Sequence, residues 1–256
     1  DRLLVCTGGG FAERWFDIAV ANGLAADRLD VAWGEPHTPE QVAEALRRGY
    51  DAVALVHNET STGVENPLPA IAKAAHTAAP DTLLLVDAVS SAGGVDLRTD
   101  EWGIDVLLTS SQKCFALPPG LAFAAVSDRT LERAAANAHR GWYFDFLLLE
   151  KYLRQNNTPA TPAISLLYAL DAQLDRILAE GLPARFERHA RMAGLAPVAV
   201  ICEVLEEDGS PARWPYLQQF AADHRIAVVS VEQVVQYRIE HDSPTAPIGT
   251  VATLLL

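Results

Sequence analysis

The sequence predicts an α/β fold, a mostly parallel sheet covered by helices, with a small α/β segment at the carboxyl end. Short apolar runs alternate with amphipathic stretches along the first 140 residues, as in repeated strand–helix units. The strand-like runs 52–56 and 83–86 are apolar throughout, which indicates burial on both faces of a sheet. A chain of 256 residues that is 50% hydrophobic and 21% charged can also bury a large core.

The predicted elements follow one another in a regular order. Each strand is a short apolar run, and each helix is the amphipathic stretch after it. The strands are 2–6, 27–32, 52–57, 82–87, 105–109 and 121–127, and the helices between them are 11–23, 38–49, 67–79 and 128–139. Residues 140–193 are predicted to be helical, with a long helix over 162–180. Beyond Pro197 we expect a strand over 198–205, a helix near 215–224, a strand over 226–230 and a short helix over 231–238.

Charge and cysteine content exclude several classes of protein. The net charge of −13 argues against a broad nucleic-acid-binding surface. Three widely spaced cysteines indicate reduced thiols in a cytoplasmic protein, and no metal-binding cluster is predicted. No run reaches the about 20 apolar residues of a membrane span, and no signal peptide is visible. Because a buried strand begins at Arg2, we expect that a further segment precedes Asp1.

Polar and small residues gather where three successive strands end. The segment 57–63 follows the third strand, 87–94 follows the fourth, and 110–120 follows the fifth. In open α/β sheets, ligands bind outside the carboxyl ends of the strands. These three segments are therefore the predicted site.

Lys113 and Asp87 are the two candidates for chemistry in these segments. A lysine at a strand end is usually a solvated surface charge. The segment after Lys113 is free of charge as far as Gly120, however, and an amine in a partly apolar pocket can form a Schiff base. Asp87 is either a helix N-cap or the counter-ion of a buried cation, such as the ring nitrogen of pyridoxal phosphate.

Several motifs in this region resemble the class V, fold type I aminotransferases that use pyridoxal phosphate, in particular the alanine–glyoxylate and serine–pyruvate group. The motifs are HNETSTG at 57–63, VDAVSS at 86–91, WGID at 102–105, SSQK at 110–113 and PPG at 118–120. Weaker similarity extends over residues 1–193, including GGFAERW at 9–15 and WGEP at 33–36.

The resemblance implies roles for the matched residues. Lys113 would form the Schiff base with the cofactor and carry the proton between substrate and cofactor carbons. Asp87 would pair with the ring nitrogen, and Val89 would pack on one face of the ring. His57 is assigned no chemistry, since a satisfied histidine at a strand end is the simpler interpretation.

Three further roles concern the edges of the cofactor. Thr60 would donate to the phenolic oxygen of the ring, and Gln112 would contact the phosphate. Thr161 would reach the phosphate held by the neighbouring subunit, which predicts a homodimer. Two parts of the family pattern have no counterpart: the loop that caps the phosphate, and the small C-terminal domain with the arginine that binds the substrate carboxylate.

The carboxyl end has a resemblance of its own. Residues 194–238 are similar to the C-terminal end of 3,4-dihydroxy-2-butanone 4-phosphate synthase, a magnesium-dependent enzyme of riboflavin synthesis. Glu203 matches an acid of that enzyme's active site, but it is also an ordinary acid at a strand end before an acidic turn. The predicted domains are therefore an aminotransferase-like large domain over 1–193, a synthase-like segment over 194–240 and a weakly structured tail over 241–256.

Three functions follow as alternatives. The first is transamination between alanine or serine and a 2-oxo acid such as glyoxylate or pyruvate, although lyase and desulfurase chemistry occur on the same scaffold. The second is the riboflavin-pathway synthase reaction. The third is a catalytically impaired hybrid of the two families.

Overall fold

The computed structural model describes residues 2–192 and 213–224. The chain divides into two compact units, 1–203 and 204–256. The described strands are β1 (Arg2–Thr7), β2 (Ala25–Asp30), β3 (Ala52–Val56), β4 (Asn58–Glu59), β5 (Val64–Glu65), β6 (Leu83–Asp87), β7 (Val106–Ser110) and β8 (Ala122–Val126). The described helices are α1 (Gly10–Ala21), α2 (Pro39–Leu46), α3 (Leu68–Ala78), α4 (Asp128–Ala136), α5 (Phe146–Arg154), α6 (Ile164–Glu180), α7 (Leu182–Met192) and α8 (Trp214–His224).

A six-stranded sheet in the order β2-β1-β3-β6-β7-β8 forms the centre of the first unit. Neighbouring strands are parallel except for β7 and β8, which are antiparallel. The predicted fold class is therefore confirmed. Because β3, β6 and β7 are parallel neighbours, the segments that follow them emerge at the same edge of the sheet.

Both faces of the central strands are buried, as their continuous apolar runs predict. Val53 and Leu55 pack in one core cluster with residues of α2 and α3, while Ala54 packs in a second cluster with residues of α1. Successive side chains of a strand point to opposite faces. Since a helix covers each face, every residue of such a strand is apolar.

Local signals explain where some helices begin. Thr38 and Gln41 form a capping box at the start of α2, and Pro39 occupies the first helical position. Ser127 caps α4 by accepting a hydrogen bond from the Thr130 amide. None of the helices in the described ranges is both long and apolar enough to cross a bilayer.

The structure corrects the sequence prediction in a few places. The second strand runs over Ala25–Asp30 and not over 27–32, because it pairs with β1 from Arg2 opposite Ala25 to Thr7 opposite Asp30. The hairpin of β4 and β5 and the helix α5 were not predicted as separate elements. The predicted helix near 215–224 is present as α8, whereas 198–205, 226–238 and 241–256 lie outside the described residues. The domain boundaries at 193/194 and 240/241 stay predictions.

Candidate active site

Hydrogen bonds join the three segments that follow β3, β6 and β7. The hydroxyl groups of Thr60 and Ser90 are hydrogen-bonded to each other. The Cys114 thiol donates to the Ser90 carbonyl at 3.3 Å, and the His57 amide donates to the Asp87 carbonyl at 2.9 Å. The structure therefore brings the segments that carry Thr60, Asp87 and Lys113 into contact.

The Asp87 carboxylate is held by one donor on each oxygen. The Val89 amide donates to Oδ1 at 2.9 Å, and the Trp15 indole Nε1 donates to Oδ2 at 3.0 Å. No helix begins after Asp87 before the next strand, so the N-cap interpretation of this residue is wrong. Each oxygen keeps a lone pair for a further donor, which suits a carboxylate that pairs with a cation.

Lys113 lies in a tight loop directly after β7. Its carbonyl accepts a hydrogen bond from the Ala116 amide at 2.8 Å, and Ala116 has a φ of 54°. A non-glycine residue in this region costs about 1–3 kcal/mol, and such residues cluster at functional sites. Among the described residues, the partly exposed Lys113 amine has no hydrogen-bond or ion-pair partner, so it is available to a ligand.

The other predicted site residues differ in their surroundings. Thr60 is buried, Val89 is half-buried, and Gln112 is exposed beside Lys113. Thr161 is exposed in the segment between α5 and α6. No hydrogen bond within residues 2–192 joins Thr161 to the Thr60, Asp87 and Lys113 segments, so its predicted role towards a neighbouring subunit stays a prediction.

Glu59 fixes the start of α1 against the site, and the sequence interpretation did not single it out. Its carboxylate accepts hydrogen bonds from the amides of Phe11 and Ala12 at 3.2 and 3.0 Å, where the helix dipole favours a negative charge. A Cβ on Gly9 would lie 2.2 Å from the Glu59 Cγ. A glycine at position 9 is therefore required by this close approach.

Arg185 of α7 joins two of the site segments and was also missed. Its side chain is only 4% exposed. Its Nε donates to the Gly93 carbonyl at 2.9 Å, and its Nη2 donates to the Cys114 carbonyl. Glu180 lies 3.4 Å from its Nη1. Because both carbonyls are distant in sequence, no local pattern could have predicted this contact.

Unpaired buried polar atoms at the same strand ends test whether a polar ligand fits here. Within the described part of the chain, four side-chain oxygens are buried without a hydrogen-bond partner: Asn58 Oδ1, Thr62 Oγ1, Thr109 Oγ1 and Ser110 Oγ. Ser110 lies on the same face of the sheet as Asp87, because Asp87 pairs with Leu108, two residues earlier in β7. Buried polar groups are normally hydrogen-bonded. These atoms therefore fit a ligand that carries several polar groups, and pyridoxal phosphate is such a ligand.

A metal site has less support than a site for a polar organic cofactor. In residues 2–192 and 213–224, no group of three or more His, Cys, Asp or Glu side chains is arranged to hold a metal ion. Asp105, which belongs to one of the predicted motifs, instead pairs with Arg129 and accepts a hydrogen bond from the Leu84 amide.

The fold and the strand-end site define a protein of the fold type I class, to which enzymes that use pyridoxal phosphate belong. Residues 11–196 match the model of the aminotransferase class-V family, and the chain belongs to that family. Members of this family generally depend on pyridoxal phosphate. The predicted resemblance is therefore confirmed.

Several of the proteins that this chain is similar to have glyoxylate in their names. L-aspartate–glyoxylate aminotransferase of Paracoccus denitrificans is 38% identical over 78% of this chain and 52% of its own. Serine–glyoxylate aminotransferase of Hyphomicrobium methylovorum is 36% identical over 84% and 54%. The crystal structure of ureidoglycine–glyoxylate aminotransferase of Bacillus subtilis superposes with a TM-score of 0.69 at 36% identity, over 76% of this chain and 51% of that one. The chain spans about half the length of the curated relatives it matches.

The carboxyl end matches a second family. Residues 188–237 match the model of 3,4-dihydroxy-2-butanone 4-phosphate synthase, which confirms the similarity predicted for 194–238. Most of this match, including Glu203, lies outside the described residues.

Proposed function

We propose that this chain binds pyridoxal phosphate through Lys113 and transfers an amino group between alanine or serine and a 2-oxo acid, glyoxylate or pyruvate. The observation that carries the proposal is the contact between the Thr60, Asp87 and Lys113 segments at the carboxyl ends of three neighbouring strands. Membership of the class-V family supports transamination as the reaction type.

Lys113 and Asp87 have the central roles in this proposal. When bound, pyridoxal phosphate supplies an electron sink for the electron pair left on the substrate Cα. The Lys113 amine would hold the cofactor and, once the amino group of the substrate has displaced it, would move the proton at that carbon. Asp87 would accept the N–H of the ring nitrogen and so keep the proton on that atom, while Val89 would pack against the ring.

The remaining residues orient the cofactor. Thr60 shares one hydrogen bond with Ser90, and when Ser90 is the donor the Thr60 hydroxyl is free to donate to the phenolic oxygen. Gln112 contacts the phosphate. Thr161 binds the phosphate of the partner subunit, which makes the proposed enzyme a homodimer.

Exposed side chains on α6 support the proposed dimer, and free thiols support a reducing compartment. Tyr168 and Leu178 on α6 are both 75% exposed, and side chains of this type form the apolar patches of association surfaces when they lie side by side. Cys6 and Cys114 carry free thiols, and burial raises the pKa of the Cys6 thiol to about 12. Free thiols fit the cytoplasm, where we place the protein.

The named relatives support glyoxylate as the acceptor more strongly than any one donor. The names of the three relatives above all contain glyoxylate, whereas their donors are aspartate, serine and ureidoglycine. Of the two proposed donors, serine is the one that appears in the name of a relative, and alanine is the smaller alternative.

Titration of the purified protein with pyridoxal phosphate tests the proposal. We expect a yellow absorbance band that saturates with the cofactor and is lost in Lys113→Arg, because a guanidinium is too weak a nucleophile at neutral pH to replace the amine. Lys73→Arg is the matched control, since Lys73 is an exposed residue of α3, and it should retain the band. A band that survives in Lys113→Arg would contradict the proposal.

The match of residues 188–237 raises the synthase reaction as an alternative function. We propose that this segment has no synthase activity on its own, because Glu203 alone cannot supply the several oxygen ligands that Mg²⁺ requires. An assay with ribulose 5-phosphate and Mg²⁺ tests this, and turnover of the sugar phosphate would overturn it.

A further inference from the structure

We propose that Trp15 is a positioning residue for Asp87: its indole N–H orients the carboxylate that is to receive the ring nitrogen of the cofactor. This inference rests on the proposed function, in which Asp87 pairs with that nitrogen. Trp15 lies 72 positions before Asp87 in the sequence, yet its Nε1 is 3.0 Å from Asp87 Oδ2. No role was predicted for it.

Two hydrogen-bond donors from different parts of the fold hold the Asp87 carboxylate. The Val89 amide holds Oδ1 and belongs to the same turn as Asp87, so it follows any movement of that turn. Trp15 belongs to α1, so its hydrogen bond fixes the carboxylate relative to a different element of the fold. With one donor on each oxygen, the carboxylate cannot rotate freely, and each oxygen still offers a lone pair to the cofactor.

Packing holds the indole in place. Trp15 packs against the core cluster that contains Leu3, Val5 and Ala54. The first turn of α1 is in turn fixed by hydrogen bonds from the amides of Gly10 and Ala12 to Ser61 and Glu59. Since Ser61 and Glu59 flank Thr60, the same segment sets the position of a second predicted cofactor contact.

Loss of the indole N–H should change the orientation of the carboxylate. An opposite charge that is no longer directed at the ring nitrogen stabilises the protonated form of that nitrogen less. The ring nitrogen would become less protonated, which is a spectroscopic effect that a purely structural role of Trp15 does not predict.

The test compares Trp15→Phe with wild-type protein and with Trp33→Phe, which alters an exposed tryptophan. The readouts are the ¹⁵N chemical shift of ring-labelled pyridoxal phosphate and its dissociation constant from absorbance titration. In Trp15→Phe we expect a ¹⁵N shift towards the unprotonated ring and a dissociation constant raised on the order of tenfold, the size of a hydrogen bond to a charged group. Trp33→Phe should match wild type.

A double-mutant cycle with Asp87→Ala separates positioning from general packing. Once Asp87 is removed, Trp15→Phe should cause no further weakening of cofactor binding. Should Trp15→Phe fail to fold, benzothienylalanine at position 15 keeps the ring shape and removes only the N–H. An unchanged ¹⁵N shift, or losses that add in the double variant, would overturn the inference alone. Wild-type protein that does not bind the cofactor would contradict the proposed function together with it.

Discussion

The central strands and the α5–α6 region differ in how completely the chain covers them. β3 and β6 are buried on both faces by α1, α2 and α3. In α5 and α6, by contrast, Leu153, Tyr168 and Leu178 are between 73% and 75% exposed. The sheet and its strand-end site are therefore packed within this chain, whereas α5 and α6 expose apolar side chains in the part of the chain that the structure describes.

Removal of a core side chain should have the largest effect on stability. Leu84 of β6 is 1% exposed, and Leu84→Ala should lower the free energy of unfolding by about 2–5 kcal/mol through lost burial and a residual cavity. Leu178→Ala, the control on α6, should change it by less than about 0.5 kcal/mol. Urea denaturation measures the free energy of unfolding of both variants. Equal losses would contradict the difference in burial between β6 and α6.

Arg185→Met should have the next largest effect, because it removes the donors to the Gly93 and Cys114 carbonyls. We expect a loss of about 2–3 kcal/mol, typical of charge-assisted hydrogen bonds, and faster amide hydrogen exchange around 88–94 and 113–117. Arg188→Met is the control, since Arg188 also pairs with Glu180 but its side chain is 46% exposed. Unchanged exchange in both segments would show that Arg185 does not stabilise them.

Asp105→Asn should reduce stability by a smaller, pH-dependent amount. Desolvation raises the pKa of the Asp105 carboxyl, but hydrogen bonds from Arg129, the Leu84 amide and Ser127 outweigh it, so the pKa lies below its usual range. Because this pKa is lower in the folded than in the unfolded state, the ionised carboxylate stabilises the fold above the unfolded pKa of about 4. This stabilisation is lost as the pH falls through the folded pKa.

The difference between wild type and Asp105→Asn should therefore be about 1–2 kcal/mol at pH 7 and should narrow as the pH falls below about 4. Thermal unfolding across that range measures it. A difference that stays constant with pH would mean that the charge of Asp105 does not contribute.

Polar substitutions on the exposed face of α6 should have the smallest effect on stability and a distinct effect on assembly. Tyr168→Ser combined with Leu178→Ser should change the free energy of unfolding of the monomer by about 1 kcal/mol or less, yet weaken the proposed dimer in sedimentation analysis. Ile18→Ser, on the exposed face of α1, is the control. A dimer that is unaffected by the α6 substitutions would place the interface elsewhere.

Burial explains which parts of the fold could be predicted from the sequence. The strands β3 and β6 were located to within a residue, because burial on both faces requires an unbroken apolar run. The edge strand β2 is largely exposed and lacks that run, so its prediction was displaced by two residues. The two-residue strands β4 and β5 are too short for any periodicity to indicate them.

The site shows the same division between local pattern and distant contact. Asp87 and Lys113 were singled out because each follows an apolar strand, where ligands bind in α/β sheets. Trp15 and Arg185 were missed because their partners lie 71 to 92 positions away in the sequence. Only the folded chain reveals such contacts.

Reductive trapping of the cofactor tests the central claim most directly. The chain has three lysines, Lys73, Lys113 and Lys151, so borohydride reduction in the presence of pyridoxal phosphate, followed by peptide mapping, has few possible outcomes. We predict that the reduced cofactor is found on Lys113 alone. A cofactor attached to Lys73 or Lys151, or to no lysine at all, would contradict the proposed site.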